Sequence, residues 1–286
     1  MLRITFALLT LPCLALGLGM ATAAGASDSD APSVATYLAN AGVVVTRGDV
    51  KIAFDPLFKT SFGQYALMTT EMEEMFLEGQ APYDGLDAIF VSHLHGDHID
   101  PGLVATILQK QPELHLYAPE PAAKGVLMLA RDAADAIRDR VHGISLEVGD
   151  APFVADREGL AIEAVRIPHS GWPDGMTTVE NLAFRVTLAP DAEEPTTVVH
   201  LGDSDARDEH FATHDEYWKK RTLDLALPPY WFLATDGGAK ALERLAPSQV
   251  VGVHVPTGMT DPAKRGPKYE GDDLFVKAGE TREIGE

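Results

Sequence analysis

Residues 88 to 101 read Ala-Ile-Phe-Val-Ser-His-Leu-His-Gly-Asp-His-Ile-Asp-Pro. His93, His95, Asp97 and His98 put four metal-capable side chains into six consecutive residues. The apolar run Ala88 to Val91 predicts a buried strand before them. Asp100-Pro101 predicts an N-cap and the first residue of a helix after them. The loop between is therefore pinned at both ends. Strand alternation sends His93 and His95 the same way, and Gly96 lets the chain turn so that Asp97 and His98 fold back toward them. Imidazole nitrogen with carboxylate oxygen suits zinc and its neighbours, whereas calcium takes oxygen ligands.

The elements that must hold this loop can be taken in chain order. Three short apolar runs, Val34 to Leu38, Val43 to Thr46 and Lys51 to Phe54, are separated by turn residues, which predicts an antiparallel meander. Asp55-Pro56 ends the third run. Asp55 either braces the histidine-rich loop from behind or only makes the turn. Residues 58 to 83 form an insertion rich in aromatics and methionine, with a Thr70-x-x-Glu73 capping box opening a helix over Glu71 to Glu78. Two readings fit it: a flexible lid over the substrate pocket, or plain packing on the sheet. Helices are expected over Pro101 to Lys110 and Pro121 to Asp135. Strands are expected over Leu114 to Ala118, Gly143 to Val148, Leu160 to Ile167, Leu182 to Leu188, Asp224 to Leu227 and Val250 to Pro256, and in a run ending at Gly202. This alternation marks α/β layering.

The histidine-rich turn resembles the His-x-His-x-Asp-His signature of the metallo-β-lactamase superfamily. Tyr37-Leu-Ala-Asn-Ala-Gly42 and Phe54-Asp-Pro56 resemble the opening hairpins of its branch near the ascorbate-6-phosphate lactonases. The resemblance implies an α/β fold, a four-layer αββα sandwich. It also implies that further ligands sit at strand ends downstream. His169, after Ile167-Pro168, fits the next one. Asp203, after Gly202, fits a carboxylate bridging two metals, with Asp205 the weaker candidate for that bridge. His254 fits the last. One ion then takes His93, His95 and His169, the other takes Asp97, His98 and His254, and Asp203 lies between. Zinc β-lactamases that lack this bridging aspartate do not match. The di-iron flavoproteins of the fold carry a carboxylate where this chain has His95, so zinc is the expected ion, with manganese and iron the alternatives.

Two such ions, about 3.5–4 Å apart, lower the pKa of a shared water from 15.7 to about 7. The expected activity is hydrolysis of an ester, lactone or phosphodiester by a metal-bridging hydroxide, with Asp97 as the catalytic carboxylate. The competing reading is a non-catalytic zinc-binding protein that retains the site. Tyr230 and Trp231 in the Pro228-Pro-Tyr-Trp-Phe232 tract, and Asn181, are the candidate substrate contacts. Lys264, Arg265 and Lys268 read either as an anion-attracting cluster or as a solvated loop. His200 reads as a core or supporting residue. His115, His142, His210 and His214 have no motif around them and read as surface residues.

The chain has 286 residues, 45% of them hydrophobic, enough for one large domain, expected over residues 34 to 286. Residues 1 to 26 read as a secretory signal peptide, with Arg3 before an apolar stretch and small residues at its end. Residues 27 to 33 read as a linker. The expected location is secreted or periplasmic, with no stable membrane insertion once the signal is removed. Cys13 is the only cysteine. The mature chain therefore has no disulfide and no thiolate ligand. The net charge of −20 repels polyphosphate backbones, which argues for a small-molecule substrate and against nucleic acid.

Overall fold

The computed structural model describes residues 32–285. The signal-peptide segment and its cleavage site lie outside the described residues, as does most of the 27–33 linker. The end of that linker is structured: Ser33 is buried and begins the first strand.

Strand β1 (Ser33–Ala39) is followed by β2 (Gly42–Arg47) and β3 (Val50–Phe54), then helix α1 (Thr70–Leu77) and strand β4 (Ala88–Phe90). Helix α2 (Pro101–Lys110), strand β5 (His115–Pro119), helices α3 (Glu120–Ala130) and α4 (Ala134–Ile137) and strand β6 (Val141–Ile144) complete the first half. Strands β7 (Phe153–Arg157), β8 (Leu160–Arg166), β9 (Leu182–Leu188) and β10 (Thr196–His200) open the second. Helices α5 (Asp208–Ala212) and α6 (Asp215–Lys219), strand β11 (Leu223–Leu227), helix α7 (Asp236–Leu245) and strands β12 (Pro247–Val250) and β13 (Thr281–Ile284) follow.

The strands form two mixed sheets, ordered β13-β1-β2-β3-β4-β5-β6 and β12-β11-β10-β9-β8-β7. The β1–β2–β3 meander is antiparallel, and β3 to β6 run parallel. Period-2 alternation explains the layers. In β2, Val43 and Val45 face the other sheet, while Val44 faces the helices. In β9 and β10, Phe184, Val186 and Val198 point between the sheets, and Ala183 and Val199 point outward. The outward set of the first sheet packs with Val104, Ile107 and Leu108 of α2 and Val126 of α3. That of the second packs with Phe211, Trp218, Ala241 and Leu245 of α5, α6 and α7. Helix, sheet, sheet and helix layers follow, the expected αββα sandwich.

Several boundaries differ from those the sequence suggests. Thr69, not Thr70, caps α1: its Oγ1 accepts from Met72 N at 3.1 Å. Either threonine can serve, and the chain uses the first. Asp100 caps α2 as expected, accepting from Leu103 N at 2.9 Å, which is worth about 1 kcal/mol. Helix α3 stops at Ala130 because Arg131 turns left-handed, with φ +52°. Strand β7 is not evident in the sequence, being a half-exposed edge whose outer face mixes Val154 with Asp156. Strand β12 ends at Val250, and Val253 continues only through a single bridge to Pro229.

His115 and His142 are not free surface residues. Their rings stack at 5.2 Å, with Nδ1 of His115 2.9 Å from Nε2 of His142, and Arg157 donates to His115 Nε2 at 2.6 Å. The parallel pairing of β5 with β6 places Leu116 opposite Val141 and Tyr117 opposite His142, which stacks the two imidazoles. Burial, then Arg157 and His142, hold His115 down to about 4; burial and then Arg157 lower His142. A free histidine titrates near 6.5, so between about pH 6.5 and pH 4 the unfolded chain binds more protons than the folded one. Stability therefore falls as pH falls through that window. His115→Gln is expected to reduce the difference in urea midpoint between about pH 7 and pH 5. An unchanged difference would contradict the assignment.

Candidate metal centre

The histidine-rich turn leaves β4 at the edge of the inter-sheet seam. Asp55, at the end of β3, is wholly buried and lies behind it. Its Oδ1 accepts from Ser92 N at 2.7 Å; its Oδ2 accepts from Ser92 Oγ at 2.6 Å and from His98 Nδ1 at 2.7 Å. Ser92 Oγ, its hydrogen committed to Asp55, accepts from His93 Nδ1 at 2.9 Å. Both imidazoles are thus held with Nε2 turned toward the other candidate ligands, the role of an outer carboxylate on a ligand histidine. Asp55 braces the loop rather than merely turning the chain.

The second sheet contributes the other candidates. His169 follows β8, and its Nδ1 donates to Ser170 O at 2.6 Å, leaving Nε2 to face Asp203 Oδ2 at 3.5 Å. Asp203 follows β10. Ser170 N donates to its carbonyl at 2.7 Å, which ties the two loops together. Gly202 has φ +56°, and a Cβ there would collide with Asn181 and Ser92, so the turn into Asp203 requires glycine. His254 also adopts a left-handed backbone, φ +60°, and its N–H donates to Asn40 O at 2.8 Å. Asn40 in turn donates from Nδ2 to Asp97 O at 2.9 Å. The β1–β2 turn therefore fixes two candidate ligands from opposite sheets.

The ligating atoms converge. His93, His95 and His169 form one group, Asp97, His98 and His254 a second, and His93, His98 and Asp203 a third, with ligand atoms in each group within 4.8 Å of one another. His93 Nε2 lies 2.9 Å from His95 Nδ1. Asp203 Oδ1 lies 3.2 Å from His98 Nε2 and 3.3 Å from His254 Nε2, which is 3.2 Å from Asp97 Oδ2. Yet Nε2 of His98, His169 and His254 and Oδ1 of Asp203 are buried and lack a hydrogen-bond partner. They have the spacing of polar contacts without the geometry of hydrogen bonds. Buried polar atoms left this way are costly, and atoms aimed at a shared point between them are satisfied by a cation there. The donor set of imidazoles and carboxylates fits two divalent ions.

Burial would push His98 down, but Asp203 and Asp55 more than offset it and hold the imidazolium well above its usual range. Burial would likewise push Asp203 up, but His254 and His98 hold it well below the usual carboxylate range. Burial and then His98 keep His93 far below its ordinary value.

Residues 50–255 match a sequence model of the beta-lactamase superfamily domain. The chain belongs to the beta-lactamase superfamily. Among solved structures it resembles Igni18, a metallo hydrolase from the archaeon Ignicoccus hospitalis, at 19% identity and TM-score 0.56 over 90% of this chain and 99% of that one. It also resembles the metallo-beta-lactamase fold protein YhfI from Bacillus subtilis, at 19% identity and TM-score 0.54 over 88% and 100%. A third likeness is to CmlA, a diiron β-hydroxylase from Streptomyces venezuelae, at 10% identity and TM-score 0.50 over 88% of this chain and 54% of that one. No curated protein shows significant sequence similarity. The fold is that of the superfamily's metal-dependent hydrolases.

Of the remaining candidates, Trp231 and Tyr230 lie beside the superfamily site. Trp231 packs edge-on against His254 at 5.5 Å and donates to Ser204 O at 3.1 Å; Tyr230 packs on Trp231 at 5.4 Å. Asn181 does not face open space. It is wholly buried, donating to Leu201 O at 3.2 Å and Ser204 Oγ at 3.1 Å and accepting from Asp203 N at 3.0 Å. It supports the turn that carries Asp203 instead of facing open space. Asp205 is engaged by Arg207 at 2.7 Å, away from the cluster. His200 is buried, its Nε2 donating to Ala41 O at 2.9 Å. His210 and His214 are buried too, because α5 and α6 fold back over the second sheet.

Tyr65 is a site residue that the sequence placed only in the insertion. Its ring meets His254 edge-on at 4.2 Å, and burial, then Asp203, Tyr230 and Asp97, push its hydroxyl upward, so it stays protonated as a donor. The insertion is partly fixed: Phe76 is buried with α2, Thr60 N donates to Gly96 O at 3.1 Å and Thr257 N to Gln64 O at 2.8 Å.

Asp55→Asn is expected to weaken metal binding about 10–100-fold. Competition with a chromophoric chelator measures this, with circular dichroism checking the fold. Unchanged affinity in a folded variant would contradict the bracing role.

Proposed function

We propose that this chain is an exported, dinuclear-metal hydrolase that cleaves an ester, lactone or phosphodiester bond in a small molecule. The observation that carries the reading is the convergence of His93, His95, Asp97, His98, His169, Asp203 and His254 with unpartnered buried ligand atoms. His93, His95 and His169 would hold one ion and Asp97, His98 and His254 the other, with Asp203 placed to serve either. Zinc is the proposed ion, since imidazole and carboxylate suit it and no cysteine lies among the described residues. Export rests on the signal-peptide features of residues 1 to 26, and implies a secreted or periplasmic enzyme.

When bound, two such ions supply Lewis acidity and lower the pKa of nearby water to about 7. The protein's own groups do the rest. Asp55, Ser92 and the Ser170 carbonyl orient the imidazoles, so that the site is assembled before substrate arrives. Asp97, held through its carbonyl by Asn40, accepts a proton from the attacking water. It then returns that proton to the leaving-group oxygen as the carbon–oxygen or phosphorus–oxygen bond breaks. Tyr65 donates a hydrogen bond into the same space, and Trp231 and Tyr230 close its side.

Zinc-loaded protein is expected to hydrolyse bis-p-nitrophenyl phosphate or a simple lactone. Chelation should abolish the activity and zinc restore it. Asp97→Ala should lower kcat about 10²–10⁴-fold in a folded protein. Zinc binding without turnover on a panel of esters, lactones and phosphodiesters would leave a zinc-binding protein and overturn the proposal.

A further inference from the structure

Leu94 sits between two ligand candidates and is 44% exposed, although the chain around it is almost wholly buried. Nothing in the packing of either sheet requires an exposed leucine there. It lines a groove with His95, Pro119, Pro121, Thr178, Val179 and Glu180, of about 180 Å³. The walls come from three elements. These are the histidine-rich turn, the junction of β5 with α3, and the loop from His169 to Asn181. The lining is mainly apolar, and the one ionisable group beside the imidazole of His95 is Glu180. Among the described residues Glu180 is in no ion pair and makes no side-chain hydrogen bond, unlike the neighbouring Glu120, which pairs with Lys124 at 3.1 Å. The Glu180 carboxylate is partly exposed and has no protein partner, so it is free to pair with a cation that enters the groove.

We propose that this groove is the substrate's specificity subsite, and that it takes a short apolar arm ending in an ammonium group. This rests on the proposed hydrolase reading, because the groove opens on His95. It deepens that reading by naming the substrate class: an ester, lactone or phosphodiester whose arm is alkyl and cationic. The volume corresponds to about six water-sized groups, on the order of a six- to seven-atom chain. The arm's methylenes lie against Leu94, Pro119, Pro121 and Val179, and the ammonium meets Glu180. The net charge of −20 favours the approach of a cation at long range.

Calorimetry on the metal-loaded full chain with n-hexylammonium and n-hexanol tests this, since the probes share length and differ in charge. The wild type is expected to bind hexylammonium about fivefold more tightly than hexanol, the upper range for a partly solvated ion pair. Glu180→Gln should bind both equally. Glu180→Lys should prefer hexanoate to hexylammonium, which also shows that the groove remains folded. No binding of either probe, equal binding by the wild type, or a preference that survives in Glu180→Gln would overturn the subsite. A preserved charge preference in a protein without hydrolytic activity would instead remove the hydrolase reading and leave the groove.

Discussion

Five imidazoles and two carboxylates are packed together at the seam of two sheets, and the facing atoms of His98, His169, Asp203 and His254 are left without hydrogen-bond partners. That desolvated convergence is the constraint on which the rest of the structure depends. Such a cluster is unfavourable in itself, because each unpartnered buried atom costs about 1–3 kcal/mol. It persists only if the scaffold holds the groups in place and a cation satisfies them. Both features of the sandwich serve the first need. The first sheet delivers four candidates on one turn, the second delivers His169, Asp203 and His254 on separate strand ends, and the inter-sheet core around Phe54, Phe90 and Phe184 fixes the distance between them.

The supporting hydrogen bonds show how tightly orientation is specified. Asp55 commits both of its oxygens to Ser92 and His98, and Ser92 passes the constraint to His93. Asn40 reaches the loops of Asp97 and His254 at once. Asn181 holds the turn of Asp203 against β8 and β10. Left-handed backbone at Asp55, Gly202 and His254 lies at these same positions. Strain of this kind survives where surrounding contacts over-determine it, and it concentrates at functional sites.

How much of this could be read from the sequence depends on how local each signal is. The histidine-rich turn was legible because its four candidates are nearly contiguous and both flanking elements carry clear boundaries. The meander and the layered order were legible from alternation and turn residues. His169, Asp203 and His254 each stand alone in sequence and gained meaning only through resemblance to a known pattern. Asn181 was misassigned because burial is a tertiary property: the same polar residue lines a pocket or props a turn depending on what packs over it. Tyr65 was signalled only by the aromatic content of its insertion, and Glu180 not at all, since the paths of their loops, not any spacing, bring them beside the site. Strand β7 escaped because only Phe153 and Ala155 face the core and the exposed Val154 beside them hides the alternation.

Two divalent ions are proposed to occupy this cluster together. X-ray diffraction of the metal-loaded protein, with anomalous scattering at the metal edge, tests it most directly. Two peaks are expected about 3.5–4 Å apart. His93, His95 and His169 should lie about 2.0–2.1 Å from one, His98 and His254 at the same distance from the other, and Asp203 should touch both. A single peak, or an ion held without His169, Asp203 or His254, would contradict it.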